Sequence, residues 1–327
     1  MNRKKNTEEM EVIKLSQKLI EISSISDQSN LPIANFLAEI LNQGFTVELQ
    51  KNKKANKANL IARFGPKNVE PLMFSGHMDT VPFGQEKLWD TDPLVPVIKN
   101  SRLYGRGSVD MKSSIAAMIM AAKPLLKQKF KREFIFGFTF DEEIGLVGAK
   151  QLAKSKIINP SYTLIGEPTS LKPIRMHKGH IYLKAICRGK SGHGSDPDSG
   201  INAILVGQEV IQIINQFKEE LKAYSIPEMT PPYATINIGA AHGGEKANVI
   251  PEKFTLLFDI RTIPGQSNSA MISDLKNRLE RIGSLDNAPL VTLNTMKIPT
   301  SPVLTDKDSR IIQIAEKITQ TESRGAP

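Results

Sequence analysis

An α/β protein with a mostly parallel sheet flanked by helices, carrying an inserted smaller α+β domain, is predicted by three observations. Short apolar runs alternate with helical patterns through the first half of the chain, and one of them, FIFGFTF at 134–140, is apolar throughout, as in a strand covered on both faces. Near residue 178 the pattern changes to alternating strands interleaved with two helices. The length, 327 residues, suits about two domains.

The elements follow in order. Residues 8–22 space Met10, Ile13, Leu15, Leu19 and Ile20 as a helix does, 23–30 read as a polar loop, and 31–43 as a second helix. A strand at 46–50 leads into KNKKANK at 51–57, read as a solvated loop. Runs at 59–65 and 71–77, bounded by Gly or Pro, are strands. A helix over 111–127, a strand at 134–140, a helix over 143–155 and a strand at 162–167 complete the half. HIYLKAICRGK at 180–190 alternates like a half-exposed antiparallel strand. A helix over 200–222, strands at 233–244 and 253–262, a helix over 268–282 and a strand at 291–298 follow. The helix over 308–321 returns to the first domain, so the predicted domains are 1–177 with 299–327, and 178–298.

Composition narrows the function classes. A 40% hydrophobic and 24% charged chain is an ordinary soluble protein, which excludes long disorder, collagen and a disulfide scaffold. No run of about 18 apolar residues exists, so no membrane span is expected. MNRKKNTEEMEVIKL lacks the apolar core of a signal peptide. The single cysteine, Cys187, cannot form an internal disulfide, which fits the cytoplasm. The net charge of +9 is scattered rather than striped, so no nucleic-acid partner is expected. P-loop, dinucleotide and nucleophile-elbow motifs are absent from the sequence.

Five stretches place carboxylates or imidazoles at the ends of predicted strands, where open α/β sheets bind ligands. In SGHMDT (75–80), His77 and Asp79 lie two apart and share a direction. They are either a metal ligand with a carboxylate that sets its tautomer, or a strand end bonded to local backbone. In LYGRGSVDMK (103–112), Asp110 is either a ligand or a helix N-cap. FTFDEEIG (138–145) puts Asp141, Glu142 and Glu143 directly after the apolar strand. Their repulsion needs either water or a cation, and with a cation one carboxylate can ligate while its neighbour moves protons. LIGEPTS (164–170) brings Glu167, and GKSGHGSDP (189–197) brings His193 on a glycine-flanked turn. One imidazole and several carboxylates suit a hard-to-borderline divalent ion such as Zn2+, Co2+ or Mn2+.

These motifs, in this order over about residues 10–327, resemble the dinuclear-zinc amidohydrolase and metallopeptidase family that includes acetylornithine deacetylase, succinyl-diaminopimelate desuccinylase and carboxypeptidase G2. GEPTSLKPIRMHKGHI (166–181), SGHGSDPDSGINAI (191–204), HGGEKANVI (242–250) and DIRTIPG (259–265) carry the closer likeness to the acetylornithine deacetylases. The resemblance implies a catalytic domain at 1–177 with 299–327 and a lid and dimerisation domain at 178–298. It implies two Zn2+ per subunit, or Co2+. His77 and Glu167 would bind one metal, Asp110 would bridge both through a cis peptide to Met111, and Glu143 would bind the second. Asp79 would orient His77 and Glu142 would be general base, then acid. His193 would steady the oxyanion across a homodimer, and Arg261 and Asn248 would hold the substrate carboxylate. The implied reaction is hydrolysis of a small N-acyl amino acid, N2-acetyl-L-ornithine, in arginine biosynthesis. The competing readings are N-succinyl-diaminopimelate hydrolysis and a truncated, inactive family member. The latter arises because the family supplies a second-metal His beyond a stretch like the closing RGAP, and no His follows His242 here.

Overall fold

Alternation along the apolar runs decides which way each strand faces. A computed structural model describes residues 2–326, and its contacts divide the chain into two units, 1–170 and 171–327.

In the first unit, helices α1 (Asn2–Glu21) and α2 (Leu31–Leu41) precede strands β1 (Thr46–Asn52), β2 (Lys57–Phe64) and β3 (Leu72–His77). A short hairpin, β4 (Val97–Lys99) and β5 (Arg102–Tyr104), leads to α3 (Lys112–Ala122), β6 (Phe134–Thr139), α4 (Val147–Ser155) and β7 (Tyr162–Ile165). The sheet order is β1-β2-β6-β3-β7. The mostly parallel expectation holds for β6, β3 and β7. It is corrected at β1 and β2, which join antiparallel and make the sheet mixed.

Every residue of β6 is buried. Phe134, Phe136 and Phe138 face one way with Leu60 and Ala62, against a core shared with α1, α2 and α3. Their rings meet at 5.0 Å and 5.3 Å, within the range of favourable aromatic contact. Ile135 faces the other way with Ile61 and Met73, against Leu152 of α4. Helices therefore cover both faces, as an apolar central strand requires.

Two further expectations are corrected. The helix over 143–155 begins only at Val147, because residues 141–146 form a turn. The 51–57 stretch is not a solvated loop throughout: β1 runs to Asn52 and Lys57, the first residue of β2, is buried.

In the second unit, β8 (Ile174–His177), β9 (Gly179–Arg188), α5 (Ala203–Glu220), β10 (Thr235–Gly243), β11 (Lys253–Thr262) and α6 (Asn268–Glu280) come first. The short strands β12 (Ser284–Leu285) and β13 (Ala288–Pro289), then β14 (Val291–Thr295), β15 (Val303–Leu304), α7 (Arg310–Thr319) and β16 (Arg324–Ala326) complete it. Strands β10-β11-β9-β14 form an antiparallel sheet. Its inward residues Ile181, Leu183, Ala185 and Cys187 alternate along β9 and pack with Val210 and Ile214 of α5 and Leu275 and Leu279 of α6. A separate sheet has the order β15-β8-β16. No helix among the described residues is long and apolar enough to cross a membrane.

Burial pushes the Cys187 thiol up to about 11. The thiolate is the reactive form, so a disulfide-exchange reagent at pH 8 is expected to leave the native protein unlabelled. It should label the single thiol after denaturation; rapid labelling of native protein would contradict the packing. Lys112 is fully buried and donates to the Ile22 carbonyl at 2.7 Å. Burial lowers its ammonium from 10.5 to about 8. The unfolded chain then binds a proton that the folded chain lacks between these values, so this group favours folding increasingly as pH rises through that window. Denaturant titrations should show the stability of wild type gaining on Lys112→Met between pH 8 and pH 10.5; a difference independent of pH would refute it.

Candidate active site

Strand ends deliver the acidic side chains to one place in the first unit. Parallel pairing sets His77, the last residue of β3, beside Thr139 of β6, so the turn after β6 begins next to the imidazole. Pairing of β3 with β7 ends at Ser75 and Ile165, which carries Glu167 to the same edge. Asp110 arrives from the loop before α3, and the peptide joining it to Met111 is cis. Met111 rather than Asp110 caps α3, which removes the helix-cap alternative for the aspartate. Gly76 has a steric role: a Cβ there would lie 2.4 Å from the Met111 methyl.

His77 is buried, and its Nδ1 lies 2.9 Å from the Asp79 backbone carbonyl. A carbonyl can only accept, so Nδ1 carries the hydrogen and Nε2 is the ring's ligating atom. Nε2 is 2.9 Å from Asp110 Oδ1 and 3.7 Å from Glu167 Oε1. Ligand atoms of His77, Asp110 and Glu167 lie within 4.8 Å of one another, and so do those of His77, Glu142 and Glu143.

The Asp79 carboxylate is 3.6 Å from Nδ1. Its shorter contacts hold the acidic turn: it accepts from the Glu142 and Glu143 amides at 3.0 and 3.3 Å and from Ser26 Oγ at 2.8 Å. Burial opposes its charge, but these bonds and His77 outweigh that and lower its pKa.

The electrostatics are those of crowded anions. Burial, with repulsion from Asp110, Glu142 and Glu143, pushes Glu167 up to about 7. Burial and neighbouring carboxylates raise Glu142 and Glu143. Burial disfavours a charged His77, yet bonds to Asp110 and Asp79 and the charges of Asp79 and Glu167 prevail, and the ring rises to about 11. A divalent cation would take the place of the Nε2 proton and offset the surrounding carboxylates, with the freed imidazole nitrogen and those carboxylates as its donor set. The residues present thus fit a metal.

In the second unit, Gly194 N–H donates to the Asn248 carbonyl at 2.8 Å, which brings the loops of His193 and Asn248 together. The Ser195 amide and hydroxyl reach His193 Nδ1 at 3.2 and 2.7 Å. An amide can only donate, so in the neutral ring Nδ1 accepts and Nε2 carries the hydrogen. Arg261, on β11, donates from Nε to Asp259 at 2.7 Å. Nothing in the sequence marks Ser26 or Lys57 as part of the site, although both touch the frame of the acidic turn. The only local signal for Lys57 is that it directly precedes the apolar run of β2.

The model of the peptidase family M20/M25/M40 matches residues 73–326. The chain is 37% identical over 315 residues to acetylornithine deacetylase of Photorhabdus laumondii, covering 94% of this chain and 81% of that protein. It is 35% identical over 320 residues to that of Salmonella typhimurium, covering 95% and 83%. Among solved structures, aminopeptidase PepT of Bacillus cereus shares the fold at TM-score 0.76 and 21% identity, over 97% of this chain and 84% of that one. A dinuclear metal-binding M20 peptidase of Bacillus subtilis shares it at TM-score 0.67 and 16% identity, over 98% and 83%. The chain belongs to peptidase family M20/M25/M40 and is a metal-dependent hydrolase of N-acyl amino acids.

Proposed function

We propose that this chain hydrolyses N2-acetyl-L-ornithine to acetate and L-ornithine. The observation that carries this reading is the cluster of carboxylates around the Nε2 face of His77, in a chain whose curated relatives are acetylornithine deacetylases. His77, Asp110 and Glu167 would hold one divalent ion, and Asp110 with Glu143 a second. We assign Zn2+ or Co2+, because one imidazole among carboxylates, without a thiolate, suits a borderline cation. Such ions supply Lewis acidity toward the acyl carbonyl and acidify water.

The chain's own groups do the rest. Glu142 takes a proton from the attacking water as the C–O bond forms. It returns that proton to the amide nitrogen as the C–N bond breaks. Its raised pKa suits both duties, since a proton shuttle works best when its pKa approaches the working pH. Asp79 fixes the backbone that carries Glu142 and Glu143, and its carbonyl sets the His77 tautomer. His193, with its Nε2 hydrogen free to donate, is assigned to the oxyanion. Arg261 and Asn248 are assigned to the substrate carboxylate.

Residues 1–177 with 299–327 are proposed as the catalytic domain and 178–298 as the lid and dimerisation domain. The separation of the β15-β8-β16 sheet from the four-stranded sheet supports this division. A cytoplasmic homodimer is proposed as well. The one buried cysteine supports the compartment, and the open edges of β10 and β14 supply backbone groups for a second copy.

Acetate release from N2-acetyl-L-ornithine by the Zn2+- or Co2+-loaded chain tests the reaction. Turnover is expected, with N-succinyl-diaminopimelate a much poorer substrate. Glu142→Gln should retain metal and lose about 100-fold or more in kcat, the scale of a positioned acid–base group. Equal turnover by the variant would remove Glu142 from its role, and preference for the succinyl substrate would overturn the substrate. Sedimentation at micromolar concentration should give twice the 36.2 kDa chain mass; a monomer would end the dimer proposal.

A further inference from the structure

The acidic turn that carries Glu142 and Glu143 is held from beneath by a buried ammonium. Lys57 is 5% exposed and Asp141 is 5% exposed. Lys57 Nζ donates to the Asp141 carboxylate and to the Ser26 carbonyl. Ser26 Oγ in turn donates to Asp79, which accepts the Glu142 and Glu143 amides. The contacts close a ring: from Lys57 to Asp141, along the chain to Glu142 and Glu143, through their amides to Asp79, on to Ser26 and back to Lys57. Ser26 and Asp79 are 2% and 1% exposed, so water does not compete for these bonds.

The turn needs such a hold. Asp141 adopts φ 53°, in the left-handed region that non-glycine residues occupy uncommonly, aspartate more readily than most. Asn59, two residues along the same face of β2, fastens the other end: it accepts from the Phe140 amide at 3.3 Å and donates to the Gly148 carbonyl at 2.8 Å. A buried ion pair is a poor source of net stability, because both charges lose their hydration. Its value lies in direction: a salt-bridged Asp141 admits one placement of the two residues that follow it.

We propose that Lys57 is a positioning residue for the site, acting through Asp141 and Ser26 to set the Glu142 and Glu143 carboxylates against His77. This rests on the reading of Glu142 as base and Glu143 as metal ligand.

The test uses the full chain and two variants. Lys57→Met alone strands a buried carboxylate, so the informative variant is Lys57→Met combined with Asp141→Leu, which buries no unpaired charge. Thermal midpoint, Zn2+ titration of the metal-free protein by calorimetry, and kcat and KM for N2-acetyl-L-ornithine are read together. The pair variant is expected to fold with a midpoint near wild type. Its weaker Zn2+ site should lose about 10–100-fold in affinity and kcat should fall by a similar factor, with KM within about threefold, the pattern of groups that orient ligands and base. Lys57→Arg, which keeps the charge, should recover part of both losses. Zn2+ affinity and kcat within about twofold of wild type in the pair variant would overturn the proposal, as the positioning loss is expected to be at least tenfold. Loss of thermal stability alone, or failure of the pair variant to fold, would overturn it too, placing Lys57 in the framework. If the unaltered chain releases no acetate, the substrate reading fails by itself, and the Zn2+ titration still decides on Lys57.

Discussion

Repulsion among carboxylates that share one imidazole is the constraint on which the first unit depends. Asp79, Asp110, Glu142, Glu143 and Glu167 all act on or around His77, and the buried members cannot rely on water to screen them. Two kinds of compensation are visible. Asp79 is neutralised by donors, two amides and a hydroxyl, and Asp141 by the Lys57 ammonium. On the Nε2 side the carboxylates of Asp110 and Glu167 share the His77 ring, and burial with mutual repulsion still raises Glu142, Glu143 and Glu167, a crowding that a divalent ion would relieve.

The sheet is what makes this crowding affordable. The parallel strands β6, β3 and β7 end at the same edge, so three separate segments release their acidic residues into one crevice. The body of β6 is buried throughout, with Phe134, Phe136 and Phe138 packed against the helices, while the short β7 is largely exposed. The antiparallel β2 contributes differently. It brings Lys57 and Asn59 up under the turn, where a strand running the other way would present its far end.

The second unit is organised by alternation along β9 and β11, with every second residue buried and the residues between them, among them Lys184, Asp259 and Arg261, on the outer face. Its candidate groups sit on loops and an outward strand face, where they are exposed and lightly held. His193 is an example: its ring is bonded by its neighbour Ser195.

Most ligand types were legible in the amino-acid sequence because they stand directly after an apolar run: His77 after PLMFSG, the acidic triplet after FIFGFTF, Glu167 after YTLIG; Asp110 instead follows the glycine-bearing LYGRGSV. Strand periodicity and local chemistry put these groups at strand ends, and the family resemblance supplies their roles. Other features were not local. Hydrophobic alternation does not encode strand direction, so the antiparallel joining of β1 and β2 depended on the tertiary pairing. The delayed start of α4 followed from Asp141 being bent into the left-handed region by bonds to distant groups. Ser26 and Lys57 read as surface residues because burial is decided by partners 53 and 84 positions away, Asp79 and Asp141. Sequence by itself determined which side chains could do the chemistry, since that is a property of each residue and its strand. Only the tertiary structure decided what holds them in place, since a buried ammonium or hydroxyl acquires its role from whatever the fold packs against it.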